Sequence, residues 1–336
     1  MKPTPLLKIT IGVFLLAAVV ACKEKRKALP VTSGSSNEVL IVMDKAEWQG
    51  PLGDTVKQWF TQEQIGLPQP EPMFDIINLP LAFFDKNVKT YRNVLVTKIS
   101  PEIDSASIHF KDSPWARTQK YFEIDAPDKA AFLKVFEANK QKMLDVFLKA
   151  EQDRLITNYK KNPNAEIYRL FRDKYQLSWS FPTGYIINKD TADFVWISRE
   201  TRVDSRGIIF FQKEYKDAAQ FDKQAIVDSV NTELRKFIPG PLPKTYMALD
   251  TVAPIVAKTY KYEGKHYAVM MRGLWMVVND FMGGPFVLNV VLDQENNRIL
   301  YMMGYIYAPD DKKRNMLRQV EAILFTAGLD YKEGNK

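Results

Sequence analysis

Short apolar runs alternate with amphipathic segments along the chain, and their spacing predicts strands and helices in turn. In the first half the apolar runs predict four strands, at 38–43, 73–79, 94–99 and 121–124. Helices are predicted at 52–64, 126–161 and 165–175. In the longest helix, apolar residues recur mainly at three- and four-residue steps, which is typical of a helix that buries one face. Asp125 is predicted to be its N-cap, and Pro163 is predicted to end or interrupt it.

The second half is richer in strands. Strands are predicted at 185–188, 194–198, 208–215, 255–262, 265–278, 285–292 and 298–307, and helices at 221–237 and 310–327. Polar turns separate neighbouring strands, which is typical of antiparallel meanders. The element order predicts an α+β fold, in which antiparallel sheets carry helices packed on one face. Each half contains strands with two helices, which leaves open a diverged repeat, although no fixed-period sequence match supports one.

The first 22 residues have the organisation of an export signal. Lys2 and Lys8 precede or flank an uncharged apolar stretch at 9–21. This stretch is too short for a membrane span, which needs about 20 residues, and it fits the apolar core of a secretory signal. Its end, Val19-Val20-Ala21-Cys22, resembles the lipobox of bacterial lipoproteins, which implies that Cys22 is acylated, with chains such as palmitate, and becomes the mature N-terminus. The alternatives are an ordinary signal peptide or a short buried segment, with Cys22 incidental.

Composition narrows the chemistry that the chain can perform. Cys22 is the one cysteine in the sequence, which excludes a disulfide framework, a Cys-x-x-Cys redox pair and, once it is acylated, a thiol nucleophile. The two histidines, His109 and His266, lack the spacing of metal ligands, so we predict no metal site. The sequence contains no phosphate-binding loop, dinucleotide fingerprint or nucleophile elbow, so we predict no cofactor and no catalytic residue.

The charge distribution separates the N-terminal end from the rest of the chain. The formal net charge of +7 comes mostly from residues 1–27, so we predict no nucleic-acid partner. The basic residues at 23–27 lie against anionic lipid or form a solvated spacer, and small polar residues follow them. The predicted organisation is a signal peptide at 1–21, a flexible tether at 22–37, an N-terminal α+β region at 38–165 that ends in the long helix, and a C-terminal α+β region at 166–330 with antiparallel meanders.

The stretch from Met271 to Pro285 holds the candidate ligand-binding residues, which are Arg272, Trp275, Asn279 and Asp280. An arginine can clamp a carboxylate or a phosphate, and a tryptophan near it can offer a stacking face. Asn279 and Asp280 lie at a predicted turn, where Gly283 and Gly284 allow positive φ. The alternative is structural: Arg272 then points to solvent from a strand, and the other residues form an ordinary turn.

Three other features have two interpretations each. Aromatic and basic residues from Tyr168 to Tyr175 indicate a solvated helix face or a contact with lipid headgroups. Asn289 interrupts an apolar strand, and we expect a hydrogen-bonded buried amide or a position at a sheet edge. The proline-rich segment at 66–72 is predicted to be a surface connection, with docking into an aromatic groove as the alternative.

Five motifs in the chain resemble those of one family. They are Ser-Gly-Ser-Ser-Asn-Glu-Val-Leu (33–40), Gly-Leu-Pro-Gln-Pro-Glu-Pro (66–72), Arg-Gly-Leu-Trp (272–275), Asn-Asp-Phe-Met-Gly-Gly-Pro-Phe (279–286) and Gly-Tyr-Ile-Tyr-Ala-Pro (304–309). They resemble an uncharacterised family of Bacteroidota lipoproteins, catalogued as a domain of unknown function, DUF4837. The similarity spans nearly the whole mature chain. It implies an envelope lipoprotein and supplies no activity and no catalytic residues.

The sequence therefore favours a membrane-anchored, non-enzymatic lipoprotein of the cell envelope. Its expected partners are membrane lipid, through the acylated N-terminus, and an unknown envelope protein or ligand. The alternative is an envelope hydrolase or transferase that uses carboxylates, with Arg272 as a clamp near Asp280. Lys23, rather than an aspartate, follows the cysteine, which by the lipoprotein resemblance favours the outer membrane, facing the periplasm.

Overall fold

A computed structural model describes residues 28–329, so the predicted signal peptide, Cys22 and the start of the tether lie outside the described residues. The helices are α1 (Lys45–Trp48), α2 (Pro51–Phe60), α3 (Lys129–Lys161), α4 (Ala165–Tyr175), α5 (Lys223–Phe237) and α6 (Arg314–Leu324). Short 3₁₀ turns lie at Leu81–Phe83 and Ala218–Phe221. Within the described range, no helix is both long enough and apolar enough to cross a membrane.

The strands form two sheets. The first contains β1 (Glu38–Val42), β2 (Asp75–Leu79), β3 (Asn93–Ile99), β4 (Ser107–Asp112) and β5 (Lys120–Ala126). The second contains β6 (Ile186–Asp190), β7 (Phe194–Glu200), β8 (Ser205–Glu214), β9 (Tyr246–Leu249), β10 (Val256–Tyr262), β11 (His266–Val278), β12 (Gly283–Asp293) and β13 (Arg298–Tyr307). The helices and the two sheets together confirm the predicted α+β class.

The five-stranded sheet differs from the prediction in strand direction. Its order is β2-β1-β3-β5-β4. The pairs β1–β2, β1–β3 and β3–β5 are parallel, and only β4 runs antiparallel to its neighbour β5. The physical reason is the length of the connections, because strands joined through helices or long loops can run parallel, whereas a meander needs tight turns. β4 was missed because its side chains are mostly exposed and polar, as befits an edge strand.

The first sheet carries helices on one face, as predicted. Apolar residues of α2 and α3 pack with Val39, Ile41 and Phe122 of the sheet in one core cluster. The opposite face is covered by loop residues instead, among them Phe84 and Trp115. This half therefore has one helical layer, one sheet and a loop cover.

Helix α3 is shared by both halves of the molecule. Its N-cap is Asp128, whose side chain accepts a hydrogen bond from Ala131 N at 2.8 Å; the predicted cap, Asp125, is still part of β5. With 33 residues the helix is about 50 Å long. Its first part contributes Phe136 to the core of the N-terminal half, and its last turns place Leu155 and Tyr159 against the core of the C-terminal half.

The eight-stranded sheet is antiparallel throughout, as predicted for the C-terminal region. Its order is β10-β11-β12-β13-β8-β7-β6, and the short β9, which was not predicted, pairs with β11. Helices α4 and α6 cover one face and α5 covers the other, so here the prediction of helices on one face only was wrong. The cause is visible in β8, where residues 208–211 are all apolar and buried, a pattern typical of a strand covered on both sides.

Candidate functional site

The geometry of β11 separates the predicted site residues. Arg272 and Trp275 are three positions apart, and because successive side chains of a strand alternate between faces, they lie on opposite faces of the large sheet. Arg272 faces α6, whereas Trp275 packs in the core cluster that contains α5. Asn279 and Asp280 lie beyond the end of the strand, in the turn to β12. The four residues therefore do not form one site.

The turn after β11 uses Asp280 for its own structure. The carboxylate accepts hydrogen bonds from Phe281 N at 2.5 Å and from Met282 N at 3.3 Å. The residue with positive φ in this turn is Asn279, at 62°, whereas Gly283 and Gly284, which would allow positive φ, do not adopt it. The turn is thus built from the side chain of Asp280 and the left-handed backbone of Asn279.

Arg272 lines a cleft between the N-terminal and C-terminal halves. The cleft has a volume of about 550 Å³, within the range of about 300–1,000 Å³ that is typical of small-molecule sites. Its walls are α3, the loop between α2 and β2, the strands β10 and β11, and α6. Six apolar side chains from these elements line it, and they are Ile65, Met73, Leu148, Leu155, Val256 and Met270. Lys258 lies exposed at its rim.

The polar end of the cleft is formed by Arg272 and Glu321. One terminal nitrogen of the guanidinium, Nη2, is ion-paired with the Glu321 carboxylate. The other, Nη1, is shielded from water and has no hydrogen-bond partner among residues 28–329. A buried donor without a partner costs about 1–3 kcal/mol. Arg272, at the wall of the cleft, therefore has one N–H donor group without a hydrogen-bond partner.

A second arginine, Arg318, also lines the cleft. It donates a hydrogen bond to Gln64 Oε1 at 2.9 Å and another to the Asn37 side chain, and its guanidinium lies 5.3 Å from the Phe74 ring centre. Burial lowers the pKa of Arg318 to about 10, with the neighbouring charge of Arg314 as a second cause. Arg318 is therefore still a cation at neutral pH, and it adds positive charge to the polar end.

Glu151, a carboxylate that lines the cleft from α3, is fully engaged. It accepts hydrogen bonds from Arg154 Nη1 at 2.6 Å, Asn93 Nδ2 at 2.7 Å, Arg92 Nη1 at 2.8 Å and Asn37 N at 3.1 Å. Two of these donors are cations, so the negative charge of Glu151 is balanced within the fold. This carboxylate holds α3 against the sheet and has no accepting capacity left for a substrate proton.

The N-terminal half fixes the start of α6. Helix α6 has no side-chain cap of its own at Lys313. Glu71 takes that role from the loop before β2, because its carboxylate oxygens accept from Lys313 N at 2.6 Å and from Arg314 N at 3.1 Å. Arg314 in turn donates to Asp75 Oδ2 at 2.6 Å. The proline-rich segment at 66–72 is thus a connection, as predicted, but its Glu71 is buried and holds the helix that forms one wall of the cleft.

The remaining residues singled out from the sequence lie elsewhere. Asn289 is fully buried in an interior strand, and neither amide atom has a partner in the described part of the chain, so both expectations for it were wrong. Phe171 and Tyr175 point into the core, whereas Arg169 and Lys174 are exposed, so these aromatic and basic residues do not form one surface. Among residues 28–329, no cluster of three or more metal-binding side chains is present.

The fold and the cleft define a two-part α+β protein in which one long helix joins a mixed sheet to a large antiparallel sheet. Residues 164–326 match the model of a domain of unknown function, DUF4837, and residues 32–160 match that of a second domain of unknown function, DUF8532. The match over residues 164–326 confirms the resemblance to DUF4837 for this part of the chain. The resemblance was expected over nearly the whole mature chain, but the motifs at 33–40 and 66–72 lie in the match to the second domain.

Other comparisons add no functional information. No curated protein matches the chain. Among solved structures, the chain shows a similarity to the human StarD13 (DLC2) lipid transfer and protein localization domain, with 9% sequence identity and a TM-score of 0.23, over 49% of this chain and 98% of that domain. A TM-score this low supports no conclusion about fold or function.

Proposed function

We propose that the protein is a lipoprotein of the cell envelope whose folded body binds a small amphipathic molecule in the cleft between its two halves, without transforming it. The ligand class is an apolar body that ends in a carboxylate, phosphate or similar anion. One observation carries this proposal. The cleft combines apolar walls from both halves with an arginine that has an N–H donor without a hydrogen-bond partner.

The charges at the polar end favour an anion. Arg272 and Arg318 are cations, Glu321 is the facing anion, and the charge of Glu151 is balanced by other arginines. Because Nη1 is shielded from water, an anionic oxygen reaches it only after the side chains around it move, and it would then complete the guanidinium fork while Glu321 keeps Nη2. A hydrogen bond to a charged group contributes about 1.5–3 kcal/mol, which is enough to discriminate an acid from its alcohol.

The same geometry disfavours the alternative of a hydrolase or transferase. That hypothesis needs the carboxylate of Asp280 near the arginine clamp. Asp280 instead accepts a hydrogen bond within the turn after β11, and it does not line the cleft that Arg272 lines. Two of the cleft carboxylates, Glu151 and Glu321, are held by arginines, and the third, Asp145, is exposed and accepts a hydrogen bond from Gln141. General acid–base catalysis requires a carboxylate that can exchange a proton with a substrate, and the two that are paired with arginines are poorly suited to it.

Calorimetric titration of the purified full chain with decanoate and 1-decanol tests the binding function. We expect decanoate to bind about tenfold more tightly than the alcohol, a difference of about 1.4 kcal/mol. The double variant Arg272→Gln/Glu321→Gln should abolish this preference, because it removes the ion pair without leaving a buried charge behind. Arg235→Gln, on the exposed side of α5, is the matched control. Equal affinities for acid and alcohol in the wild type would contradict the proposed ligand class, and saturable binding of neither would contradict the cleft as a binding site.

The anchor is tested separately. We expect mass spectrometry to detect acyl chains on residue 22 and fractionation to place the protein in the outer membrane, on the periplasmic side. Cys22→Ser should release a folded protein from the membrane fraction. Membrane retention of this variant, with no lipid found on residue 22 of the wild type, would contradict the lipoprotein assignment and leave the binding function untouched.

A further inference from the structure

The face of the large sheet opposite the cleft holds a second cavity, with a volume of about 370 Å³. Four aromatic residues line it, and they are Trp196, Trp275, Tyr305 and Tyr307. Glu200 is the one charged residue that lines it within the range 28–329. We propose that this aromatic pocket binds a small organic cation, of the quaternary ammonium or alkylated amine class.

The rings stand at large angles to one another. Trp275 and Tyr305 have ring centres 5.4 Å apart and planes inclined by 72°, and Trp275 and Tyr307 are 6.3 Å apart and inclined by 59°. Rings at these distances contact one another, so they form one continuous aromatic wall of the pocket, and a cation that lies against a ring face of this wall makes a cation–π contact. Each cation–π contact contributes about 0.5–2 kcal/mol, depending on how far the cation is desolvated.

Two glycines in the sheet leave space for two of these rings. Gly207 of β8 pairs with Tyr305, and a Cβ at this position would lie 2.0 Å from the tyrosine ring. Gly284 of β12 pairs with Trp275, and a Cβ there would lie 2.1 Å from Ile306 O. A larger residue at 207 would displace the Tyr305 ring, and one at 284 would meet the Ile306 carbonyl and lie 3.2 Å from Trp275 Nε1. The aromatic wall of the pocket is thus fixed by the strands before any ligand binds.

Two hydrogen bonds engage the polar atoms of three of these rings, those of Trp196, Trp275 and Tyr305. Trp275 Nε1 donates to Ile306 O at 3.1 Å, and Trp196 Nε1 donates to Tyr305 Oη at 2.9 Å. With these atoms engaged, the pocket offers mainly π faces and apolar side chains. A primary ammonium keeps three N–H donors that need acceptors, whereas a quaternary ammonium needs none. The pocket chemistry therefore favours the alkylated cation.

The charge of the pocket has the sign that a cation needs. Glu200 lies at the rim and accepts a hydrogen bond from Ser205 Oγ at 2.7 Å. No lysine, arginine or histidine belongs to the lining of this pocket in the described part of the chain. A neutral apolar ligand of the same shape would gain burial from the rings but nothing from Glu200, and this difference makes the proposal testable.

The test compares choline with its neutral isostere, 3,3-dimethyl-1-butanol, by tryptophan fluorescence and calorimetry on the full chain. We expect saturable binding of choline and about tenfold weaker binding of the isostere, because the isostere lacks the charge that the π faces and Glu200 attract. Equal binding of the two would overturn the proposal in favour of a purely apolar pocket, and no saturable binding of choline would overturn it as well.

Two pairs of variants sharpen the test. Glu200→Gln keeps an acceptor for Ser205 but removes the charge, so choline binding should fall several-fold, whereas Glu214→Gln, an exposed residue at the other end of β8, should leave it unchanged. A similar loss in both would show a long-range charge effect and contradict the site. Trp196→Phe should weaken choline binding, and Arg272→Gln/Glu321→Gln should not, because the cleft lies on the opposite face. Circular dichroism checks that each variant is folded.

Discussion

Replacing Glu71 with alanine removes the cap that the N-terminal half provides for α6. In the structure both carboxylate oxygens accept backbone hydrogen bonds, from Lys313 N at 2.6 Å and from Arg314 N at 3.1 Å. The substitution leaves these N–H groups without their acceptor at a place where Glu71 is only 7% exposed. Losing a helix cap costs about 0.5–2 kcal/mol, and a buried donor left unsatisfied costs about 1–3 kcal/mol.

These two costs describe the same lost contacts, so they overlap rather than add. We expect Glu71→Ala to lower the free energy of unfolding by about 2–3 kcal/mol. Glu71→Gln keeps one oxygen as an acceptor but loses the negative charge at the positive end of the helix dipole, so a smaller loss of about 1 kcal/mol is expected. Urea unfolding followed by circular dichroism measures both, because a change in midpoint at constant slope reports stability directly.

The control is Glu63→Ala, which removes an exposed glutamate from the same loop and should change stability by less than about 0.5 kcal/mol. Hydrogen exchange adds spatial information: the first turn of α6 should lose protection in Glu71→Ala while β12 keeps it. An equal effect of the two alanine substitutions, or unchanged protection at Lys313 and Arg314, would refute the idea that Glu71 fixes the helix.

Two further predictions concern buried polar groups. Asn289→Leu should raise the free energy of unfolding by about 1–3 kcal/mol, because it replaces a fully buried amide that has no partner in the described chain with an apolar side chain of similar size; a loss of stability in urea unfolding would show that the amide is satisfied after all. Burial raises the pKa of Tyr159 to about 12 from its usual value of 10.0. The stability from burying the neutral phenol is therefore present below pH 10 and is lost as the pH rises towards 12, so Tyr159→Phe should flatten the fall in stability over this range; an unchanged slope in unfolding experiments from pH 9 to 12 would contradict this assignment.

The sequence predicted the elements that local pattern determines. Apart from the short β9, the strands of the large sheet, their antiparallel order and the long helix α3 follow from period-two and period-three-to-four patterns and from polar turns. The directions of β1, β2 and β3 did not follow, because a short strand such as β1, with four buried apolar residues, can have the same pattern in a parallel and an antiparallel sheet. Direction is set there by long connections, which carry no periodic signal.

The candidate site shows the same limit. The separation of Arg272 from Trp275 was available in the sequence, because an odd spacing along one strand places two side chains on opposite faces. The sequence did not indicate which residues would contact Arg272. Glu321 is 49 residues away along the chain, and Glu71 meets α6 across a separation of 242 residues. Such contacts depend on how the two halves pack, and no local pattern in a single sequence encodes that packing.

The sharing of α3 has a consequence for how the protein can be divided. The two family matches end and begin at residues 160 and 164, at the C-terminal end of this helix. The last turns before that boundary nevertheless place Leu155, Ile156 and Tyr159 against the core of the following half. A fragment cut at the boundary would expose the apolar surface that these side chains cover, so we expect it to aggregate, whereas a fragment that begins near residue 129 would carry its own cover. The regions that the two family models match therefore meet at the end of this helix, whereas the folded C-terminal half also needs the last turns of the helix.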